Sequence, residues 1–138
     1  MADHSITASD VKPRAGAEYV LAQGIAGGTI TAGQPLYQDA TDSGDLKAAV
    51  NSAAATAAVV GIALSNAADQ QPVRYLVRGS LTVTGNLTVA RAYYVSPNPG
   101  GICLEADVAS ADFATVLGVA TNATTLEVNI QASGVSVA

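Results

Sequence analysis

Short segments of alternating apolar and polar residues run through most of the chain. The clearest is Leu126–Gln131, in which Leu, Val and Ile take every second position and Glu, Asn and Gln lie between them. Val73–Arg78 alternates in part, with Val, Tyr and Val on one side and two arginines on the other. A period of two is typical of a β-strand that buries one face, and the intervening Gly, Pro, Asn and Asp favour turns. The pattern therefore predicts an all-β domain.

The same pattern predicts one hairpin and little helix. Leu81–Val83 and Leu87–Val89 alternate on either side of Gly85-Asn86, a pair that favours a two-residue hairpin turn. Alanine-rich Lys47–Ala58 favours a helical turn or two, because Ala has the highest helix propensity. Val108–Ala114 favours another short turn. We expect little helix elsewhere.

Two stretches of the chain have nearly the same pattern. VVGIALSNAADQQPV begins at Val59, and VLGVATNATTLEVNI begins at Val116. We call the separation between Val59 and Val116 the repeat spacing. A shift of the chain by this spacing also superimposes Gly28 on Gly85, Tyr37 on Tyr94, and Gly61 on Gly118. A two-residue deletion after the shared Gly-apolar-Ala segment then aligns Val73 with Val128.

The shift predicts two similar halves, at about residues 24–79 and 80–134. Each half contains three or four predicted strands, and a unit that small leaves one apolar face open. Pairing of the halves closes the core. We therefore expect a small β-barrel or β-sandwich with approximate two-fold symmetry.

Residues 1–17 lack the strand pattern. They are polar and aperiodic, with a break at Lys12-Pro13-Arg14, and we expect an extended N-terminal arm before a single β domain at 18–138. A frayed terminus is the alternative. A flexible polar segment can become ordered when it binds a partner. The candidate partner-binding residues on this arm are His4, Val11, Lys12, Pro13 and Arg14.

The composition favours a subunit that packs against other chains. Hydrophobic residues make up 49% of the chain, many of them Ala and Val, whereas charged residues make up only 12%. A chain with so few charges often has surface that another chain covers. The formal net charge of −5 argues against a basic nucleic-acid interface, so we expect no nucleic-acid partner.

The sequence lacks the residue sets that catalysis or cofactor binding requires. Cys103 is the single cysteine and forms no intrachain disulfide, and the single histidine, His4, lies in the predicted arm. Neither a histidine-based triad nor a His/Cys metal site is therefore expected. Asp39, Asp42 and Asp45 lack the spacing of a calcium loop, and a solvated turn is preferred. We expect no enzyme activity and no cofactor.

The chain also lacks signals for secretion or membrane insertion. Its first residues have neither a cationic start nor an apolar core. The longest nearly apolar run, Ala53–Leu64, is too short to span a bilayer. We expect a soluble protein that is made in the cytoplasm and has no membrane partner.

Several motifs resemble those of head decoration proteins of tailed bacteriophages, which are also called capsid cement proteins. The motifs are AGQPLY at Ala32–Tyr37, GIALSNAA at Gly61–Ala68, AYYVSPNPGGI at Ala92–Ile102, and GVAT at Gly118–Thr121. The resemblance extends roughly from Gly24 to Gly134. One departure is Gln70–Pro72, which replaces the glycine that is usual before the next strand.

The resemblance implies a β-rich subunit, often a homotrimer, on the outer surface of a phage capsid. Its function there is to clamp neighbouring major capsid proteins against the pressure of packaged DNA. It implies a virion protein that has no enzyme activity and that assembles in the host cytoplasm. The acidic chain agrees with an outer position, away from the DNA. Alternatives are another virion β-module, such as a fibre base or tail component, and a carbohydrate-binding or adhesion module.

Overall fold

The chain folds into antiparallel β-structure. The computed structural model describes residues 4, 6, 10–14, 19–83, 85, 87–104, 108 and 112–136, with the backbone alone for residues 42 and 132–136. Strands account for 55% of the chain and helix for 3%, which confirms the predicted all-β class. The strands are β1 (Lys12–Pro13), β2 (Tyr19–Ile25), β3 (Pro35–Asp39), β4 (Asp45–Ala48), β5 (Val59–Ala63), β6 (Pro72–Thr82), β7 (Ala92–Val95), β8 (Ile102–Leu104), β9 (Phe113–Asn122) and β10 (Thr125–Ser136).

Eight of these strands form one curled half-barrel. Their order across the sheet is β4-β3-β5-β6-β10-β9-β7-β8, with antiparallel neighbours throughout. β1 and β2 lie off this path, and both pair with β6. β6 also pairs with β5 near its middle and with β10 near its end, so it is the central strand of the sheet.

Two sets of strands pair in the same order, β4-β3-β5-β6 and β8-β7-β9-β10. Leu36 lies opposite Gly61 in the first set. Tyr93 lies opposite Gly118 in the second. Tyr93 follows Leu36, and Gly118 follows Gly61, by the repeat spacing. We call residues 19–77 the first unit and residues 78–136 the second unit. The predicted boundary between residues 79 and 80 falls inside β6, which contributes to both units.

The last strands of the two units correspond differently from the predicted alignment of Val73 with Val128. In the structure Ala63 lies opposite Tyr75 in the first unit. Ala120 lies opposite Leu126 in the second, and positions 63 and 120 are again separated by the repeat spacing. Tyr75 therefore corresponds to Leu126, whereas the predicted alignment would pair it with Ile130. The internal repeat as a whole stays a prediction, supported by strand order and by this register.

Gly61 and Gly118 lie where a neighbouring strand passes too close for any side chain. A β-carbon at Gly61 would be 2.6 Å from the Leu76 carbonyl oxygen and would also overlap the Tyr75 ring. A β-carbon at Gly118 would overlap the Glu127 carbonyl group. Both positions therefore require glycine for steric reasons, and they are equivalent positions of the two units.

The buried apolar side chains form two cores. The main core spans both units and includes Ile62, Leu76, Leu81, Leu117, Leu126 and Val128. The small core belongs to the first unit and contains Ala26, Ile30, Leu36, Leu46, Ala63, Ala67, Val73 and Tyr75. The first unit is thus buried on both faces of its sheet, and the second unit contributes to the main core but not to the small core.

The alanine-rich connection between β4 and β5 joins the two units. The Asn51 side-chain amide donates to the Val95 carbonyl oxygen at 3.1 Å. The Thr115 hydroxyl donates to the Ala57 carbonyl oxygen at 2.5 Å. The prediction of helical turns over Lys47–Ala58 is partly wrong, because β4 extends to Ala48 and turns follow it. These turns contain one helix-type hydrogen bond, from the Ala57 amide to the Ala53 carbonyl oxygen at 3.0 Å, while other polar groups of the turns bond across to the second unit.

The predicted hairpin around Gly85-Asn86 is replaced by contacts with another turn. The Val83 amide donates to the Thr124 carbonyl oxygen at 2.9 Å, and the Leu87 amide donates to the Ala123 carbonyl oxygen at 3.0 Å. The two flanking segments therefore bond to the β9–β10 turn. Asn86 itself lies outside the described residues.

Helix is limited to short turns in the described part of the chain. A 3-10 turn covers Ala40–Asp42 after β3. The short turn predicted over Val108–Ala114 is partly replaced by β9, which begins at Phe113, while residues 109–111 lie outside the described ranges. Among the described residues no helix is long and apolar enough to cross a membrane.

Candidate interaction surfaces

Three of the predicted partner-binding residues lie along the end of β6. Lys12 and Pro13 form β1, which pairs with Thr82 and Leu81. The Arg14 amide extends this pairing by donating to the carbonyl oxygen of the preceding β6 residue at 2.9 Å. The side chains of Lys12 and Arg14 are exposed. Their backbone is therefore held by the domain, while their charges remain accessible to a partner.

Val11 is part of the main core. Its side chain is only 7% exposed. A β-carbon built on Gly33 would lie 2.7 Å from the Ile6 side chain and 3.2 Å from that of Val11, so both pack over this turn. The predicted arm thus contributes core residues. The polar sequence around Val11 concealed this role.

His4 lies beside β8, away from β1. Its amide donates to the Ile102 carbonyl oxygen at 2.8 Å. Its ring is edge-on to Tyr93, with 6.1 Å between the ring centroids. It borders an open cavity of about 260 Å³ between Thr31–Gln34 and Pro99–Ile102. The five predicted residues are therefore not gathered into one exposed site. Apart from Ile6 and Asp10, the other residues of 1–17 lie outside the described ranges.

Two of the three aspartates that were weighed as a calcium loop, Asp39 and Asp45, have protein partners, and the side chain of Asp42 lies outside the description. Asp39 accepts a hydrogen bond from Lys47 at 2.8 Å and two from Thr41. These bonds, the one from Lys47 first, lower the pKa of Asp39 from 3.8 to about 2. The Asp45 carboxylate accepts from the Gln70 amide at 3.1 Å. Within the described ranges, no group of three or more His, Cys, Asp or Glu side chains is placed to hold a metal.

Six large hydrophobic side chains of the described residues are exposed, and they fall on two surfaces. They are Tyr19, Val20, Leu21, Ile25, Val89 and Val119. We call the first four the β2 surface and the last two the β9 surface. Within the β2 surface, Tyr19, Leu21 and Ile25 lie on one face of the edge strand and Val20 lies on the other. Val89 adjoins β9 because the next amide, of Ala90, donates to the Ala120 carbonyl oxygen at 2.8 Å. Apolar side chains grouped on an exposed surface are typical of interaction sites.

The β2 surface lies on an edge strand without the usual protection. β2 pairs with β6 on one side. On its other side the described chain provides only a bridge from Ala26 to Leu46, just beyond the end of the strand. Edge strands normally carry a charged residue, often Lys, or a Pro, and these block pairing with a second chain. The seven residues of β2, YVLAQGI, contain no charged residue and no Pro.

The two surfaces have different charges at their borders. Arg74 and Arg78 are exposed on β6, where they lie opposite Gln23 and Val20 of β2. In the part of the chain that the structure describes, neither arginine has an ion-pair partner. Arg74 therefore puts positive charge on the face of Leu21 and Ile25, and Arg78 puts it on the face of Val20.

The β9 surface has a carboxylate at its border. Glu127 is exposed and lies directly opposite Val119 on the neighbouring strand. Its carboxylate accepts a hydrogen bond from the Ser80 hydroxyl. Arg91, also exposed, follows the turn that carries Val89. Arg78 shares this face as well, because its partner Asn129 lies two residues from Glu127 in β10. The β9 surface thus has charges of both signs beside it, with the negative one nearest to Val119.

Sequence reasoning missed both surfaces. The signal for the β2 surface was a seven-residue apolar strand without charges, and alternation did not reveal it because β2 does not alternate cleanly. No protein-family model, no curated protein and no solved structure matches the chain.

Proposed function

We propose that the protein is a structural virion protein that binds the outer surface of a tailed-phage capsid. It stabilises the shell by clamping neighbouring major capsid proteins. The observation that carries this proposal is the placement of the motifs that resemble capsid cement proteins. AGQPLY leads into β3 and GIALSNAA begins in β5, while AYYVSPNPGGI begins with β7 and GVAT lies in β9. These are the two strand pairs that are related by the repeat spacing.

The exposed apolar surfaces support a role in assembly. A monomer in water gains nothing from exposing Val, Leu, Ile and Tyr together, whereas a subunit covers them on binding. The low charge content of 12% agrees with extensive subunit contact. We propose that the partners are the major capsid protein and other copies of this chain, as a homotrimer. This role requires no cofactor, nucleic acid or membrane.

The exposed cations beside the core provide candidate capsid contacts. Lys12 and Arg14 are held in place by pairing with β6. Positive side chains on an acidic protein can bind acidic groups on a capsid subunit while the rest of the surface is repelled, which fixes orientation. His4 is a further candidate on the same N-terminal segment.

Capsids of the phage that encodes this chain provide the test. Purified protein is added to unexpanded and to expanded capsids, and occupancy is counted by cryo-electron microscopy. We expect ordered density on the outside of expanded capsids and a higher temperature of capsid disruption. Protein found in tail or fibre fractions, with empty capsid surfaces, would instead support another virion module.

Two variants locate the capsid contact. A Lys12→Ala/Arg14→Ala double variant keeps β1 pairing, because its backbone hydrogen bonds are unchanged, and we expect reduced capsid occupancy. Ala54→Lys, at an exposed turn position, is the control for altered charge. Removal of residues 1–17 is a poor test because it also removes Val11 from the core. Full occupancy by the double variant would exclude these two cations from the contact.

A further inference from the structure

Matching rows of residues in the two units differ in what covers them. Residues directly opposite one another in neighbouring strands share a face of the sheet. In the first unit Pro35, Ile62 and Leu76 form such a row across β3, β5 and β6. Ile62 and Leu76 are both 0% exposed, and Pro35 is buried. This row packs into the main core, which also contains the apolar side chains of the second unit.

The corresponding row of the second unit faces solvent. It consists of Ala92, Val119 and Glu127 across β7, β9 and β10. Val119, the equivalent of Ile62, is 42% exposed, and Glu127 is exposed as well. The first unit uses this face of its sheet to pack on the second unit. The equivalent face of the second unit has no part of the described chain packed on it.

We propose that the β9 surface of one copy is covered by the β2 surface of a second copy. This inference rests on the self-association in the proposed function and identifies the surfaces that carry it. The two surfaces together hold every exposed large hydrophobic side chain among the described residues. One head-to-tail interface therefore covers both, whereas pairing of β2 with β2 leaves Val89 and Val119 in water.

Charge supports the same partner. In this arrangement Glu127, beside Val119, comes near Arg74, which borders the β2 surface of the next copy on the face of Leu21. Opposite charges at the rim favour this orientation over its reverse. Arg91 also borders the β9 surface, so the rim contains cations from both copies. The uncharged centre of the interface then consists of apolar side chains.

The interface is heterologous, because different surfaces meet. An interface of that type closes into a ring when its rotation permits and otherwise forms open chains. A homotrimer is one such ring. The unprotected edge of β2 also agrees with a position covered by another copy, because natural proteins protect edge strands that remain exposed to solvent.

Two lysine substitutions test the inference on the full chain. Leu21→Lys places a charge in the β2 surface, and Val119→Lys places one in the β9 surface beside Glu127. Both residues are exposed, so we expect circular dichroism and thermal unfolding close to those of the original chain. Light scattering after gel filtration at micromolar concentration gives the mass. We expect oligomers for the original chain and for the Ala54→Lys control, and monomers for each surface variant.

A mixture of the two surface variants is the decisive sample. The Val119→Lys copy retains an intact β2 surface, and the Leu21→Lys copy retains an intact β9 surface. These two intact surfaces can form one interface between the two copies. A second interface would bring the two substituted surfaces together, with lysine against lysine. We therefore expect a complex with twice the mass of the monomer, which neither variant forms alone.

Other outcomes overturn the inference. Monomeric original protein excludes this interface, and so does a mixture that stays monomeric. Loss of assembly in Leu21→Lys with normal assembly in Val119→Lys indicates edge-to-edge pairing of β2 instead. Cryo-electron microscopy of capsids separates this result from the proposed function. Monomers that still decorate capsids leave that function intact, and oligomers that ignore capsids contradict the function but support the interface.

Discussion

Ile62 and Val119 occupy the same register in their units but have opposite surroundings. Each follows its strand glycine by one residue, and each lies opposite the first residue of the preceding paired strand. Ile62 is completely buried, and Val119 is 42% exposed. Register is a property of the backbone, whereas burial depends on which segment of the chain lies over a face. The same strand arrangement therefore provides a core in one unit and a docking surface in the other.

The largest expected loss of stability comes from substitution of the strand glycines that the two units share. Gly61→Val and Gly118→Val each push a side chain into the neighbouring backbone, and we expect a loss of about 3 kcal/mol or more for each. Denaturant unfolding measures both. Gly28→Val is the control, since a β-carbon there meets nothing within 4 Å. Tolerance at only one of the two sites would show that the close approach is specific to one unit.

Truncation of Ile62 and Val119 separates the two surroundings. Ile62→Ala removes buried methyl groups from the main core, and we expect a loss of about 3 kcal/mol. Val119→Ala changes an exposed residue, and we expect a change below about 0.5 kcal/mol when the chain is monomeric. Unfolding in dilute solution is the measurement. Equal losses at both sites would mean that Val119 is covered within one copy.

The turns before β3 and β7 differ in the residue at a left-handed position. Gly33 has φ +96°, and Ala90, its equivalent in the second unit, has φ +66°. Ala90→Gly removes backbone strain but adds chain entropy to the unfolded state, and we expect a net gain of about 0.5 kcal/mol. Gly33→Ala introduces that strain and displaces Ile6, and we expect a loss of about 2 kcal/mol. Thermal unfolding that shows a loss for Ala90→Gly would contradict this account.

The smallest expected effect is a pH dependence confined to the first unit. Asp39 and Ser96 are equivalent positions, and each accepts a hydrogen bond from the amide two residues later, at 3.0 Å in both cases. Because the pKa of Asp39 is lowered from 3.8 to about 2, its contribution to stability is complete above about pH 4. It is lost as the pH falls from about 4 towards 2.

Unfolding at several pH values isolates this contribution. We expect Asp39→Asn to reduce the fall in stability between about pH 4 and 2, while Ser96→Ala changes stability equally at all pH values because a hydroxyl does not titrate there. Lys47→Met should act as Asp39→Asn does, since Lys47 is the main cause of the lowered pKa. An unchanged acid slope in both first-unit variants would exclude this ion pair as its source.

Alternation and turn residues were sufficient to predict the class of fold and several strands. Val73–Arg78 and Leu126–Gln131 lie within β6 and β10, and Val73 and Tyr75 share the small core as their spacing predicted. Leu76, which follows them, is buried on the opposite face in the main core. A strand buried on both faces conceals half of its burial from a pattern with a period of two.

The remaining differences come from contacts that are distant in sequence. Val20 lies opposite Arg78 but Leu21 lies opposite Leu76, so Val77 is an extra residue in β6. A bulge of this kind shifts the register by one residue, and a pattern with a period of two does not reveal it. Val11 looked like part of a polar arm because its apolar neighbours belong to other segments. The exposed surfaces were equally hidden, since exposure is decided by the whole fold.

The position of β6 also determines how the molecule opens. This strand pairs with β2 and β1 along one edge and with β5 and β10 along the other. Because β6 ends the first unit and begins the second, neither unit can release it without breaking strand pairing in the other. We therefore expect one cooperative unfolding transition, in which the amides of Tyr75–Leu81 exchange with solvent more slowly than those of β4 and β8 at the ends of the sheet.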